Sequence, residues 1–264
     1  MKDNTNYALF FDIDGTLVSF TTHEIPQSTV DALTLAKANG ASVYISTGRP
    51  INLITNLGAI SHLIDGYITT NGAYCFVGNE EVCCHPIQKA DVDFILDDCR
   101  EHGYACIVVG EKDLAVYNLK ESVERIFCKQ LAVTALDIHA PVAPVLQQRI
   151  LQLTPFFPEH HEQELMAKVP RCTSGRWHPE FTDITAKEAD KGKGLITMAE
   201  YLNIDISHTI AFGDGGNDLS IIREAGIGIA MGNGLDSLKQ AADYVTTDVD
   251  DNGVMNALRH FNII

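Results

Sequence analysis

The sequence predicts an α/β fold in which a parallel sheet carries helices on its faces and is interrupted by an inserted α+β segment. The N-terminal third runs strand, helix, strand, helix, strand, and the C-terminal third returns to the same order. This alternation is typical of parallel sheets. The middle, from about residue 83 to residue 183, lacks the alternation and holds Pro141, Pro144 and Pro155 close together.

The predicted strands of the outer thirds are continuous apolar runs, which are typical of strands buried on both faces. They cover residues 7–14, 41–48, 65–73, 207–214, 227–231 and 243–247. The helices between them are predicted at residues 26–39, from about residue 51, at 193–202, 217–225 and 236–242, and after the last strand. Pro26 suits a first helical turn and Gly40 suits a helix end.

The middle segment is predicted to form a second domain inserted within the first. Its helices are predicted at residues 90–102, 121–131 and 159–168, and its strands at 105–110, 113–118, 149–156, 171–178 and 181–185. The predicted core domain therefore comprises residues 1–84 and 185–264, and the predicted insertion comprises residues 85–184.

Composition and charge exclude several classes of function. The chain has 264 residues, 45% hydrophobic and 20% charged, and a formal net charge of −16. Such a charge repels nucleic acid and anionic membranes, so neither is an expected partner. There is no apolar run of spanning length and no signal-peptide pattern, and the seven cysteines show no C-x-x-C spacing. These features predict a cytoplasmic protein with reduced thiols.

Polar residues follow four of the predicted strands. In open parallel sheets, ligands bind outside the carboxyl ends of the strands, so these residues are expected to form one site. They are Asp12 to Thr16, Ser46 to Arg49, Thr70 to Gly72 and Gly213 to Asp218, with Lys191 at the start of a helix that re-enters the core.

The pair Asp12 and Asp14 indicates a metal. An EF-hand loop starting at Asp12 would need Gly and Glu where Leu17 and His23 stand, and no nucleotide P-loop sequence is present. A lone Asp after a strand is usually a turn or cap residue. Two acids side by side at a buried strand end repel each other unless a cation is present, and Asp214 and Asp218 add more negative charge. Oxygen ligands favour Mg²⁺.

A metal in this position would hold an anion, and a phosphate fits the remaining residues. Thr47 and Asn71 offer hydrogen-bond donors and Lys191 offers a cation. Taken singly, each residue is better explained without a ligand: Thr47 as a cap, Asn71 as a turn residue and Lys191 as a solvated lysine. Their placement at successive strand ends favours phosphate binding. Lys193, about 200° around the helix from Lys191, is predicted to lie on the surface.

These motifs resemble those of a known family. DIDGT, STGR, the lysine of DKGKGL and GDGGND match, in order, the four motifs of the haloacid dehalogenase (HAD) superfamily. With TTNGA and the large insertion, the chain is similar to the Cof-type (subfamily IIB) sugar-phosphate phosphatases. The resemblance implies a Rossmann-like core with an inserted α+β cap of the C2B type, which closes over the leaving group.

The resemblance also implies roles for the residues. Asp12 is expected to be the nucleophile, Asp14 the general acid and base, and Thr47 and Lys191 the ligands of the phosphoryl oxygens. The Asp12 carboxylate, the Asp14 backbone carbonyl and Asp214 are expected to hold Mg²⁺. The expected metal site comprises these three residues with Asn217 and Asp218, which would fix the metal and the lysine.

Residues that touch the substrate are predicted at the strand ends and in the cap. They are Thr47, Gly48, Arg49, Asn71, Gly72, Lys191, Asn217, Arg176 and Trp177. Arg49 is as well explained by a role in tying its own loop. An aromatic beside a cation suits a sugar, although Trp177 could instead lie in the cap core with Arg176 exposed. His139, His160 and His161 lack ligand spacing and are predicted to be surface residues.

The predicted function is a Mg²⁺-dependent phosphatase of small phosphorylated metabolites, with hexose and pentose phosphates as the expected substrates and an aspartyl-phosphate intermediate. A monomer with no macromolecular partner is expected. Two alternatives stay open: a phosphomutase of the same chemistry, and a catalytically idle metabolite-binding protein.

Overall fold

The computed structural model describes residues 7–131 and 133–264, so residues 1–6 of the predicted core domain lie outside it. The chain divides into two compact units. Unit 1 comprises Met1–Gly48, Asn56–Cys84 and Asp190–Ile264, and unit 2 comprises Arg49–Thr55 and His85–Ala189. Apart from the short segment Arg49–Thr55, unit 2 is therefore one continuous insertion in the sequence of unit 1.

Unit 1 is built on an eight-stranded sheet in the order β13-β12-β11-β1-β2-β3-β4-β5. The six strands from β13 to β3 pair in parallel, whereas β4 and β5 are antiparallel. The strands are β1 (Ala8–Phe11), β2 (Ser42–Ser46), β3 (Gly66–Thr69), β4 (Tyr74–Val77), β5 (Glu80–Cys84), β11 (Thr209–Gly213), β12 (Ile227–Ala230) and β13 (Tyr244–Val245).

Strand β1 lies in the middle of this sheet because it is apolar on both faces. All four of its residues are buried. The ring of Phe10 stacks on Tyr44 of β2 at a centroid distance of 4.9 Å, and Phe11 stacks on Phe212 of β11 at 4.6 Å. Central placement of β1 holds its carboxyl end rigidly at the edge of the sheet where ligands bind.

The helices of unit 1 are α1 (Gln27–Ala38), α6 (Lys191–Leu202), α7 (Leu219–Glu224), α8 (Asp236–Ala241) and α9 (Gly253–His260).

Unit 2 contains a five-stranded antiparallel sheet in the order β7-β6-β8-β10-β9. Its strands are β6 (Cys106–Gly110), β7 (Leu114–Tyr117), β8 (Ile150–Pro155), β9 (Cys172–His178) and β10 (Phe181–Ala186). Its helices are α2 (Lys89–His102), α3 (Glu121–Val123, continued by a π-helix over Glu124–Gln130), α4 (Val142–Val145) and α5 (Glu159–Lys168).

Alternation along these strands gives unit 2 two apolar clusters. Val108 and Leu153 belong to one, together with Leu96 of α2 and Leu165 of α5. The other includes Ile107 and Phe181 from the strands and Phe156 directly after β8, with Ile126 and Phe127 from the segment that follows α3. Successive strand residues point to opposite faces, so the two clusters lie on opposite faces of the sheet.

The predicted α/β fold with a parallel sheet and an inserted α+β segment is confirmed. The antiparallel hairpin of β4 and β5 and the short α4 were not predicted, and α6 begins at Lys191 instead of residue 193. The predicted domain boundary after residue 184 falls inside β10, which runs to Ala186. The second compact unit ends at Ala189 instead. Within the described residues, no helix is both long and apolar enough to cross a membrane.

Gly72 provides a test of how closely the end of β3 approaches the start of α6. The Gly72→Ala variant is expected to lose roughly 2–5 kcal/mol of unfolding free energy, because two costs combine. Gly72 has φ +90°, and an added Cβ would lie 2.3 Å from the backbone oxygen of Asp190. Urea denaturation of the purified protein measures the loss.

Gly78→Ala is the matched control. Gly78 also has positive φ, at +58°, but apart from Gly78 itself and its two chain neighbours no described residue has an atom within 4 Å of the position of its Cβ. Its substitution should cost only the backbone strain, about 1–2 kcal/mol. Equal losses in the two variants would show that the contact with Asp190 contributes nothing.

Candidate active site

Asp12 lies directly after β1, where the backbone turns sharply. Its backbone N–H donates to the Phe212 carbonyl oxygen at 3.1 Å, and the residue is 7% exposed. The Leu17 and Val18 N–H groups both donate to the Ile13 carbonyl oxygen, at 2.9 and 2.8 Å. These bonds close a tight loop that fixes Asp12 at the edge of the sheet and places Asp14, partly exposed, two residues further on.

Gly15 allows this loop to approach the end of β11. Its φ is +85°, and a Cβ at this position would lie 2.3 Å from Asp214 Oδ2. On the same side, the Thr16 hydroxyl donates to Asp214 Oδ1 at 3.0 Å. Hence the loop after β1 and the loop after β11 are joined directly at Asp214.

Lys191 is buried between two carboxylates. Its Nζ lies 2.7 Å from Asp12 Oδ1 and 2.6 Å from Asp218 Oδ1, and the residue is 1% exposed. Asp190 caps α6 by accepting a hydrogen bond from the Lys193 N–H at 2.9 Å. The first residue of α6 is therefore Lys191, and its ammonium group lies against Asp12. Lys193 is exposed, as predicted.

Asp218 ties Lys191 to the loop after β11. While its Oδ1 accepts from Lys191, its Oδ2 accepts from the backbone N–H groups of Asp214 and Gly215, at 3.1 and 2.9 Å. Both oxygens of Asp218 are thus engaged by protein donors. This arrangement suits a residue that positions Lys191 and Asp214.

Burial and crowding of these acids shift their proton affinities. Burial raises the pKa of Asp12 to about 8, with the neighbouring Asp218 and Asp214 adding to the effect and Lys191 opposing it. Burial, with Asp218 next in size, raises the pKa of Asp214 to about 7 against the hydrogen bond from Thr16. Burial would lower the pKa of Lys191, but Asp12 and Asp218 outweigh it and raise that pKa. A further cation would stabilise the ionised acids.

The donor set fits a hard divalent cation. One carboxylate oxygen from each of Asp12, Asp214 and Asp218 lies within 4.8 Å of the other two, and all three residues are buried. Oxygen-only ligands are what Mg²⁺ and similar ions prefer. Since both oxygens of Asp218 are engaged, Asp12, Asp214 and the backbone carbonyl of Asp14 remain the residues suited to contact a metal directly.

The ends of β2 and β3 bring a second group of predicted residues together. Thr47, 2% exposed, donates its N–H to the Ile68 carbonyl oxygen at 2.8 Å, and its own carbonyl oxygen accepts from the Asn71 N–H at 3.0 Å. The exposed Asn217 donates from Nδ2 to Asn71 Oδ1 at 3.0 Å. A Cβ on Gly48 would lie 3.1 Å from Asn71 Oδ1. Asn217 therefore contacts the end of β3.

Two predicted substrate residues have different surroundings from the others. Arg49 belongs to unit 2, where its Nη1 donates to the Leu53 carbonyl oxygen at 3.1 Å, in line with the alternative that it ties its own loop. Gly72 packs against the backbone of Asp190, so the absence of a side chain at Gly72 allows the start of α6 to lie close to the end of β3.

Arg176 and Trp177 correct one of the sequence-based alternatives. The prediction that Trp177 lies in the core with Arg176 exposed is wrong, because the two point to opposite faces of β9. The Arg176 side chain is 14% exposed; its Nε donates to Glu162 Oε2 at 2.6 Å and its Nη2 to the Phe157 carbonyl oxygen at 3.2 Å. Trp177 is 58% exposed and donates from Nε1 to Asp183 Oδ2 at 2.8 Å. A guanidinium held in this way is a structural element of unit 2.

Two contributors to the site were not given roles from the sequence. Thr16 holds Asp214, and Asn233 joins the loop after β12 to the loop after β1 by donating to the Gly15 carbonyl oxygen at 2.8 Å. Asn233 Oδ1 also accepts from the Val249 N–H at 2.8 Å. The signal for Asn233 was the Gly-Asn-Gly turn at residues 232–234, another polar turn at a strand end.

Comparison with known proteins connects this geometry to a family. A family model for haloacid dehalogenase-like hydrolases matches residues 9–258. The Bacillus subtilis protein YkrA is 29% identical over 260 residues, which cover 97% of this chain and 98% of YkrA. The Bacillus subtilis 5-amino-6-(5-phospho-D-ribitylamino)uracil phosphatase YitU is 25% identical over 279 residues, covering 97% of each chain.

Solved structures share the complete architecture. One, described as the HAD subclass IIB sugar phosphatase BT4131, is 44% identical with a TM-score of 0.89, covering 98% of this chain and 100% of that one. The phosphatase BT1666 of Bacteroides thetaiotaomicron is 32% identical with a TM-score of 0.88, covering 100% of this chain and 97% of that one. The chain thus belongs to the haloacid dehalogenase-like hydrolases and is a phosphatase of the Cof-type, subclass IIB group.

Proposed function

We propose that this phosphatase is Mg²⁺-dependent, hydrolyses hexose or pentose phosphates, and works through an aspartyl-phosphate on Asp12. The contact between Lys191 Nζ and Asp12 Oδ1 carries the proposal. It fixes the orientation of a buried carboxylate while placing a positive charge where a phosphate dianion would arrive. Asp12 Oδ2, which accepts no hydrogen bond from any described residue, is the oxygen suited to attack.

In the first step, Asp12 Oδ2 forms a bond to phosphorus as the bond from phosphorus to the sugar oxygen breaks. Asp14, two residues away on the tight loop, gives its proton to the departing oxygen. In the second step, Asp14 takes a proton from water as the water oxygen attacks phosphorus and releases Asp12. The net products are the free sugar and inorganic phosphate.

The remaining residues hold the phosphoryl group. Lys191 and the Thr47 hydroxyl are proposed to contact its oxygens, and Lys191 offsets repulsion between Asp12 and the incoming dianion. Mg²⁺, held by Asp12, the Asp14 carbonyl and Asp214, would supply further neutralisation of the developing charge. Asp218 and Asn217 are proposed to support this arrangement through Lys191 and Asn71, respectively.

The proposed substrate class rests on one neighbour and one surface feature. The solved structure at 44% identity is described as a sugar phosphatase. Trp177 of unit 2 presents an exposed indole ring beside Asp183, and such an amphipathic aromatic suits the apolar face and hydroxyl groups of a sugar. Unit 2 is accordingly proposed to act as the specificity cap, with Trp177, but not Arg176, as a candidate for leaving-group contact.

The Asp12→Asn variant tests the nucleophile. It should lower turnover of p-nitrophenyl phosphate by at least about 10³-fold, because the neutral amide is too weak a nucleophile to form the acyl phosphate that the Asp12 carboxylate forms. Steady-state release of p-nitrophenol measures the loss, and far-UV circular dichroism confirms folding. Asp236→Asn, at an exposed position on α8, is the matched control and should keep wild-type turnover. Wild-type turnover in Asp12→Asn would contradict the assignment.

The raised pKa values of Asp12 and Asp214 predict how stability depends on pH without a metal. Their folded-state values of about 8 and about 7 lie above the ordinary 3.8, so between these limits the folded chain binds more protons than the unfolded chain. The free energy of unfolding, measured in urea with a chelator present, should therefore fall as the pH rises from about 4 towards 8. Lys191 does not contribute in this window, because its pKa is raised from 10.5.

Asp12→Asn should flatten this decline, because it removes one of the two titrating groups, whereas Asp236→Asn should retain the wild-type slope. Mg²⁺ binds the ionised carboxylates, so the stabilisation it gives should increase over the same pH range. An Asp12→Asn slope identical to that of the wild type would show that Asp12 is ionised throughout the range.

A phosphate-release screen tests the substrate class. With Mg²⁺ present, hexose and pentose phosphates should give the highest kcat/KM, above nucleotides, pyridoxal phosphate and flavin mononucleotide. Free phosphate should appear in equal amount to free sugar. An isomerised sugar phosphate without free phosphate would support the phosphomutase alternative, and a preference for one of the other three classes would overturn the sugar-phosphate proposal.

A further inference from the structure

Unit 2 contains a cluster of metal-ligating side chains that the phosphatase chemistry does not use. It consists of Asp98 and His102 on α2 and His161 on α5, named here the α2–α5 cluster. One ligand atom from each residue lies within 4.8 Å of the other two. Two such clusters of metal-ligating side chains occur among the described residues. The cluster of the active site offers only carboxylate oxygens, whereas the α2–α5 cluster also offers imidazole nitrogens.

The distances within the α2–α5 cluster suit a tetrahedral cation. His161 Nε2 lies 2.7 Å from Asp98 Oδ2, and His102 Nδ1 lies 3.3 Å from Asp98 Oδ1. The two imidazole centroids are 4.6 Å apart. Zinc bonds of 2.0–2.1 Å in tetrahedral geometry place ligand atoms about 3.3 Å from one another. Binding of an ion would replace two existing contacts: that of His161 Nε2 with Asp98 Oδ2, and that of His102 Nδ1 with the Asp98 backbone carbonyl oxygen, which lies 3.1 Å away.

Helix geometry places Asp98 beside His102, and contacts with neighbouring side chains hold Asp98 and His161 in place. The i, i+4 spacing of Asp98 and His102 puts both on one face of α2. Asp98 is 7% exposed, and the Tyr104 hydroxyl donates to its Oδ2. The His161 ring packs edge-on against Tyr104 and Phe157, at centroid distances of 5.7 and 5.3 Å. Such outer contacts orient metal ligands in known sites.

The charge of the surroundings favours a cation. Asp97, Asp98 and Glu101 place three acidic side chains at or beside the α2–α5 cluster. A cavity of about 380 Å³ leads to the α2–α5 cluster and is lined by Phe94, Asp97, Asp98, Glu101, His102 and Lys168. Its one lysine has its ammonium 5.9 Å from the centroid of the Phe94 ring. The side chain of His102 is 48% exposed, which gives an ion access.

We propose that the α2–α5 cluster is a binding site for Zn²⁺ or a similar borderline divalent cation. Two imidazole nitrogens and one carboxylate oxygen are a ligand set that Zn²⁺ accepts and that Mg²⁺ does not favour. A fourth position is left for water. The bound ion would link α2 to α5 within unit 2, and it would be chemically distinct from the oxygen-ligated ion of the active site.

Calorimetric titration of the whole chain with Zn²⁺, after removal of any affinity tag, tests the site. Excess Mg²⁺ in both solutions occupies the oxygen-ligand site. The wild type should bind one equivalent of Zn²⁺ that Mg²⁺ does not displace. His102→Gln and His161→Gln should each weaken this binding at least about tenfold. Zn²⁺ should also raise the melting temperature of the wild type more than that of either variant.

His160→Gln is the matched control, because His160 is the exposed neighbour of His161 on α5, and it should keep wild-type affinity. His102 is half exposed, so its variant carries the test even if His161→Gln fails to fold. Absence of Zn²⁺ binding by the wild type would show that the three side chains form a hydrogen-bonded contact only. Wild-type affinity in His102→Gln would place the ion elsewhere. Either result overturns the proposal.

Discussion

The ion pairs of the buried Lys191 are the interaction on which the arrangement of the active site depends. Its ammonium group links Asp12, at the end of the first strand, to Asp218, which holds the loop after β11 through two backbone N–H groups. Removing one partner from a buried ion pair costs on the order of 3–5 kcal/mol, because the remaining charge is left without compensation. Lys191 and Asp12 are 179 positions apart in the sequence. The active site can therefore assemble only when the core of unit 1 is folded.

Sheet topology explains why these residues meet. The strands β11, β1, β2 and β3 are adjacent and parallel, so the loops at their carboxyl ends lie side by side along one edge. Gly15 and Gly72 have no side chain, so the loop after β1 approaches Asp214 and the loop after β3 approaches Asp190 more closely than a Cβ would allow. The strands thus fix where the loops lie, and the two glycines allow the loops to come into close contact with their neighbours.

Much of this could be predicted from the sequence, for identifiable reasons. Continuous apolar runs identified the buried parallel strands, and polar residues placed after such strands had to share one edge. The hairpin of β4 and β5 was missed although β4 is a short apolar run, because β5 begins with Glu80 and Glu81 and shows no clear alternation. The link through Asn233 depends on which turns become neighbours, and a linear pattern does not contain that information.

The errors in unit 2 have a related cause. The prediction that His161 is a surface residue is wrong, because its ring packs against Tyr104 and Phe157 and its side chain is 15% exposed. Its partner Asp98 is 63 positions away, so the local sequence does not indicate the contact. The wrong alternative for Arg176 and Trp177 arose because hydrophobicity assigns a tryptophan to the core, whereas Glu162 and three backbone carbonyl oxygens draw the arginine inward. Of these hydrogen bonds, those to Glu162 and Phe157 join residues distant in sequence, and such contacts override local preference.

The alternation on β9 has an implication for how this protein can diverge. Residues Cys172, Ser174 and Arg176 point towards the helices of unit 2, whereas Thr173, Gly175 and Trp177 are exposed. Mutations of Thr173 and Gly175 alter this surface without disturbing the packing behind it, whereas the Trp177 ring packs edge-on against the buried Phe181 at a centroid distance of 4.7 Å. The exposed surface of β9 can therefore change at Thr173 and Gly175, one at a time, while the intervening positions maintain the stability of unit 2.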